Sequence, residues 1–211
     1  MTTKVTVLGA SGQIARWVID ALAGDAGVEL TLLARDTSRI EQVPAGANVI
    51  EGDVTNDDVL RSAVNGVDIV YANLAGDVDV QARHVVDAMT AEGVDRLIFV
   101  TALGIYGEVP GEFGRWNQQQ IGAALPAYRA AADIVSGSGL NYTLIRPAWL
   151  TDDDGVSYET TERDEPFRGT VVSRRSVAAL IVSVIRDPSR HARADLGIDK
   201  PNTDGPRPQF G

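Results

Sequence analysis

The residues Lys4–Val5–Thr6–Val7–Leu8 form a short, largely β-branched run that ends on the turn Gly9–Ala10–Ser11–Gly12. Ile14, Ala15, Val18, Ala21 and Leu22 then recur at helical spacing, so a buried strand passes through a glycine turn into an amphipathic helix. A helix start presents N–H groups without intrahelical partners and the positive end of its dipole, and here both face the turn. Gly9 allows the tight reversal. Gly12 removes a side chain where an anion must approach the backbone, and Ala15 keeps helix and strand close. The spacing GxxGxxA differs by one residue from the GxGxxG device that seats a pyrophosphate at a helix N-terminus. Glycine also makes plain tight turns, but at the first strand–helix junction the pattern points to a dinucleotide, with Ser11, Gln13 and Ile14 supplying further contacts.

Beyond the first helix the strand–helix alternation continues. Strands are expected at Val28–Ala34, Ala47–Glu51, Val67–Asn73, Val94–Thr101 and Leu140–Arg146. Helices are expected at Gly12–Ala23, Asn56–Val64, Val80–Ala91, about Pro126–Ser136, and Arg174–Arg186. Asn56, followed by Asp57 and Asp58, is suited to open its helix. Parallel strands need such crossovers, so the fold class is α/β, a doubly wound parallel sheet in a single domain over 1–211. Segments of about 102–125 and 147–173 read as loops covering a site. The tail from Leu196, with three prolines, reads as irregular surface chain.

Composition excludes several chemistries. The net charge of -10 repels phosphate backbones and argues against nucleic-acid partners. Without cysteine there is no disulfide, thiol catalysis or iron–sulfur ligation, and two histidines are too few for a His-rich zinc site. The apolar stretch Val177–Ile185 falls short of the ~20 residues that span a bilayer, and no signal-like segment opens the chain, so the expected location is cytoplasmic. No feature of the sequence sets an oligomeric state.

The residues after the second strand select the nucleotide. NAD readers usually carry an acidic side chain there for the ribose hydroxyls, whereas this strand ends in Arg35, with Arg39 one turn on. Guanidinium groups match phosphate by charge and paired hydrogen bonds, which favours NADP(H) over NAD(H). Asp36 keeps a ribose contact open.

GASGQIA, GDV at Gly52–Asp53–Val54, RLIFVTALGIYGEVPGEFGRWN, YRAAADIV, NYTLIRPAWLTD, YETT and VSRRSVAALIV together resemble the short-chain dehydrogenase/reductase superfamily in its atypical, NAD(P)H-binding (epimerase/dehydratase-like) branch. The resemblance spans nearly the whole chain and implies a Rossmann fold. It also implies that Asp53 takes the adenine amino group, with Val54 against the ring. Asn73, Leu74 and Ala75 would lie along the cofactor ribose, Thr101 beside the nicotinamide in a catalytic serine or threonine position, and Pro147 near the nicotinamide amide. Asp53 as a turn cap and Thr101 as a packing residue are the structural alternatives.

One departure stands out. Well-known members pair tyrosine with a lysine four residues later, which lowers the tyrosine pKa. Here Tyr128 is followed at that spacing by Ala132, and the chain's lysines are Lys4 and Lys200. Tyr128 should therefore stay near 10 and act poorly as an acid at neutral pH. Tyr106 is an alternative proton donor, or an aromatic pin for its loop. Trp116–Asn117 lines a pocket or anchors a loop. Asp152–Asp153–Asp154 reads as a solvated turn. Arg174–Arg175 either answers Glu159, Glu162 and Glu165 or meets an anionic substrate. The expected function is hydride transfer from NADP(H) to a small acceptor of quinone, flavin or carbonyl type. A non-catalytic NADP(H) redox sensor is the alternative, and a nucleotide-sugar epimerase or dehydratase ranks below both.

Overall fold

A computed structural model describes residues 2–210. Its strands are β1 (Thr3–Leu8), β2 (Val28–Ala34), β3 (Asn48–Glu51), β4 (Ile69–Ala72), β5 (Arg96–Val100), β6 (Asn141–Pro147), β7 (Trp149–Thr151), β8 (Glu159–Thr161), β9 (Val171–Ser173) and β10 (Ala194–Asp199). Its helices are α1 (Gln13–Leu22), α2 (Asp57–Val64), α3 (Val78–Glu92), α4 (Gly111–Ile121), α5 (Leu125–Gly137) and α6 (Arg174–Arg186). The main sheet runs β3-β2-β1-β4-β5-β6-β10-β8, parallel throughout except for the antiparallel β10–β8 pair at its edge. Strand order reverses between β1 and β4, so a crevice opens at their carboxyl ends.

Every residue of β4 and β5 is buried, as expected of parallel strands covered on both faces. Val5 and Val7 join the core beneath α1 and α6, while Leu8 joins the core beneath α2, α3 and α5. Thr6, fully buried, donates its hydroxyl to the Ala63 carbonyl. Asn56 caps α2 as expected, its Oδ1 accepting from the Val59 amide at 3.2 Å.

Three expectations need correction. The stretch 102–125 is not only loop: it holds α4, whose Gly111 and Gly114 weaken the helical signal. Residues 147–173 contain β7, β8 and β9, with β7 and β9 forming a separate parallel pair. The third correction is the largest. Leu196–Asp199 is no surface tail but buried strand, part of β10, paired parallel with β6. Asp195 and Asp199 disguised it, because two buried carboxylates on one face imitate a solvent-facing alternation.

Candidate functional site

Both glycines of the first turn are required by the end of β4. Gly9 has φ +78, and a Cβ there would strike the Asn73 carbonyl, while a Cβ at Gly12 would overlap the Asn73 side-chain amide. Gly12 also gives its own N–H to the Gly9 carbonyl at 2.9 Å, so it contributes room rather than a donor. No side chain caps α1, and no acid stands in its first turn. The amide end of the helix therefore keeps its positive potential at the turn.

A cleft of about 240 Å³ opens over this turn. Gly9, Ser11, Gly12, Arg35, Arg39, Asp53, Val54, Asn73, Leu74 and Ala75 all line it, so ten residues singled out in the sequence converge on one surface. Gln13 lines an adjoining recess with Arg16, Trp17 and Arg39. Ile14 is buried in the core, leaving its backbone as the part that can face a ligand. Thr101 and Pro147 lie further along the same edge, just past the paired residues Val100 and Ile145.

The charges of the cleft are unevenly matched. Among the described residues, neither Arg35 nor Arg39 has a carboxylate within 4 Å, unlike Arg16, which Glu41 holds at 2.8 Å. Asp36 Oδ1 accepts from the Ser38 amide and hydroxyl, capping the short helical turn Thr37–Arg39 that carries Arg39. Asp53 likewise accepts from the Thr55 amide and hydroxyl at 2.9 and 2.8 Å. Those bonds, with a smaller contribution from Arg35, hold its carboxyl below the usual range despite partial desolvation. Asp53 is thus both a turn cap and an ionised acceptor at the cleft. Arginines with no carboxylate within 4 Å, a glycine-walled turn and an uncapped helix end fit a phosphate-bearing dinucleotide.

The three hydroxyls proposed for chemistry are each constrained. Thr101, 4% exposed, donates its hydroxyl to the Ile145 carbonyl at 3.2 Å. Tyr106 donates to Asp195 at 2.6 Å, and burial together with that carboxylate pushes its pKa up. Tyr128 has no cation at the lysine position, Ala132 being fully buried. Burial raises its pKa rather than leaving it near 10, which corrects the sequence expectation in the direction of a still weaker acid. Arg129 turns instead to Asp133 and stacks on the Tyr106 ring at 4.7 Å.

Around Tyr106 lies a network that sequence reasoning missed. Arg146, 0% exposed, donates to Glu108 at 2.6 Å and Asp195 at 2.7 Å. Glu108 in turn accepts from the Gly104 and Tyr106 amides. The signal was an arginine inside the apolar strand NYTLIRP, a position that demands buried partners. The network ties the loop after β5 to β6 and β10.

Aromatic residues gather beyond Pro147. The Trp116 and Trp149 rings lie 4.7 Å apart, Phe113 stacks on Trp116, and Phe210 meets Trp149 edge-on. Asn117, almost fully buried, accepts from the Trp149 indole N–H at 3.0 Å, so it anchors this cluster. Asp152, Asp153 and Asp154 pair with Arg174, Lys200 and Arg175 at 3.0, 3.1 and 3.1 Å. Arg174 and Arg175 therefore answer this acidic turn, not Glu159, Glu162 and Glu165. Arg175 also stacks on Trp17 at 3.9 Å. A cavity of about 560 Å³, which the sequence did not suggest, lies beside that turn between Ser157, Thr170, Lys200 and Phe210. No helix among the described residues is long and apolar enough to cross a membrane.

Comparison with known proteins agrees with this geometry. Residues 9–188 match the model of a family described as NAD(P)H-binding. A Rossmann-fold NAD(P)-binding family protein from Shigella flexneri is 47% identical, with full coverage of both chains and a TM-score of 0.87. A short-chain dehydrogenase/reductase from Veillonella parvula, solved in complex with NADP, is 27% identical over the whole of both chains with a TM-score of 0.91. An NAD(P)H azoreductase from Xenophilus azovorans is 25% identical over 90% of this chain, which spans 66% of the azoreductase. An uncharacterized sugar epimerase from Bacillus subtilis is 26% identical, over 90% of this chain and 92% of its own length.

Proposed function

The chain belongs to the NAD(P)H-binding family, within the atypical short-chain dehydrogenase/reductase branch, and from that premise we propose an NADP(H)-dependent reductase of a flat, small-molecule hydride acceptor. The observation that carries the cofactor choice is the pair Arg35 and Arg39, which line the cleft without carboxylate partners among the described residues. Arg35 and Arg39 would hold the 2′-phosphate, Ser11, Gln13 and the Ile14 amide the diphosphate, and Asp53 with Val54 the adenine. Asn73, Leu74 and Ala75 would flank the ribose, with Thr101 and Pro147 toward the nicotinamide. When bound, NADPH supplies hydride. Segments around 102–125 and 147–173 would then cover the acceptor.

What the site lacks supports one class of acceptor. Thr101 and Tyr106 already spend their hydroxyl protons on Ile145 and Asp195, and Tyr128 has a raised pKa. Quinones and flavins suit such a site, since solvent can protonate the reduced product and the protein need only orient the ring. Trp116 and Trp149 offer aromatic surface for a flat molecule. The azoreductase relative supports a reductase of this kind. Purified protein with NADPH and a panel of quinones, flavins and carbonyls, followed at the reduced-nicotinamide absorbance, tests the reading. Turnover on quinones or flavins is expected, and absence of turnover on every acceptor contradicts it.

The same tied hydroxyls favour one second reading, a non-catalytic NADP(H) redox sensor. Tight binding of both redox forms without turnover is its signature. An epimerase or dehydratase, despite the Bacillus subtilis relative's name, lacks the tyrosine–lysine pair such chemistry uses and ranks last.

A further inference from the structure

Gln81 is the one cleft residue contributed by α3, and nothing in the sequence singled it out. It is only 9% exposed, near the start of the helix, although glutamine is ordinarily a solvent-facing residue. Its Nε2 donates to the Ala75 carbonyl at 3.2 Å, which fixes the identity of the two amide atoms. The other atom, Oε1, is covered and has no donor among the described residues. A buried acceptor left unsatisfied is costly, so a water or ligand that brings a donor to it is favoured.

We infer that Gln81 reads the adenine base, accepting a hydrogen bond from its exocyclic amino group; the inference rests on the dinucleotide reading of this cleft. The amino group is adenine's hydrogen-bond donor in the face-on arrangement that Asp53 and Val54 would impose. It carries two hydrogens. Asp53 has one oxygen committed to Thr55 and one remaining, so it can take a single hydrogen and leave the second for Gln81. The terminal torsion of glutamine is soft, so Oε1 can turn toward a donor that arrives in the cleft, exchanging the 3.2 Å bond from Nε2 to the Ala75 carbonyl for one to the ligand. A nucleotide whose base carries a carbonyl in place of the amino group would meet two acceptors with a third, and bind poorly. Gln81 is thereby a base-selecting residue, separate from the arginines that would choose the phosphate.

The experiment is calorimetric titration of the whole chain with NADPH and with its hypoxanthine counterpart, in which the amino group is replaced by oxygen. Wild type should prefer NADPH. Gln81→Leu should weaken NADPH about tenfold while the hypoxanthine dinucleotide binds no more weakly than before. Gln81→Glu, which keeps an acceptor, should preserve the preference, and thermal melting of both variants checks folding. Equal weakening of both dinucleotides, or no change in either, overturns the role of Gln81 and would instead mark a packing residue or a ribose contact. Failure of wild type to bind either dinucleotide overturns the cofactor reading itself, a separate outcome.

Discussion

Around the β1–β4 reversal, Arg35 and Arg39 stand at a cleft with no carboxylate within 4 Å among the described residues, whereas at the β6–β10 side of the sheet Arg146 is enclosed between Glu108 and Asp195. The two sets of guanidinium groups lie along one strand edge of one sheet. At the first end charge is kept available for a ligand; at the second it is consumed in holding loops together. Arginine content alone therefore says nothing about binding: a cation already matched inside the fold is architecture, and one left unmatched at a cleft is a candidate for recognition.

This contrast can be broken most forcefully at Arg146. Arg146→Met leaves Glu108 and Asp195 buried without their cation, and urea denaturation should show a loss of about 3–5 kcal/mol. Arg35→Met should cost under about 0.5 kcal/mol, as for an exposed side chain without partners. Equal costs would erase the distinction between the two ends.

The next largest effect concerns the glycine turn. Gly12→Ala should lower stability by about 1–3 kcal/mol because its methyl meets the Asn73 amide. Adding Asn73→Ala opens that space and should restore most of the stability. If the double variant binds dinucleotide more weakly than Asn73→Ala alone, Gly12 serves the ligand as well as Asn73; equal affinity of the two assigns it to Asn73 alone.

A pH experiment probes the β10 end again. Asp199 is fully buried beside Glu159, and burial, aided by that neighbour's charge, raises its pKa to about 7 from 3.8. The folded protein therefore holds a proton that the unfolded chain has released between those values. Stability should fall as pH rises through that interval and level off above it. Asp199→Asn should flatten this slope. An unchanged slope in the variant would assign the pH dependence to other groups.

Smallest of all should be the phenolic hydroxyls. Tyr106→Phe should cost about 1 kcal/mol of stability through the lost bond to Asp195. Turnover should stay within about twofold if solvent protonates the product. A large drop in kcat at unchanged KM would return Tyr106 to the chemistry.

The β1-to-β6 alternation and most of the cleft were legible because they rest on local rules: hydrophobic period, turn chemistry, and position at strand ends. Val28–Ala34 and Arg174–Arg186 match to the residue. The substrate half was less legible. Neither Glu108 nor Asp195 has a reason to be buried until Arg146, far away in the chain, is folded against both. β10 was hidden for the same reason, since Asp195 on its polar face is satisfied only by Arg146 and Tyr106 from distant parts of the chain. Gln81 escaped notice because an ordinary helical glutamine becomes unusual only when its burial and its missing partner are both known.

The central claim, that the cleft at the β1–β4 reversal holds a dinucleotide whose 2′-phosphate meets Arg35, is tested most directly by calorimetric titration of wild type and Arg35→Ala with NADPH and NADH. Wild type should bind both and NADPH more tightly, and the variant should lose about tenfold or more for NADPH while NADH changes by less than about twofold. Equal losses for the two would contradict phosphate recognition by Arg35, and no binding of either by wild type would contradict the claim entirely.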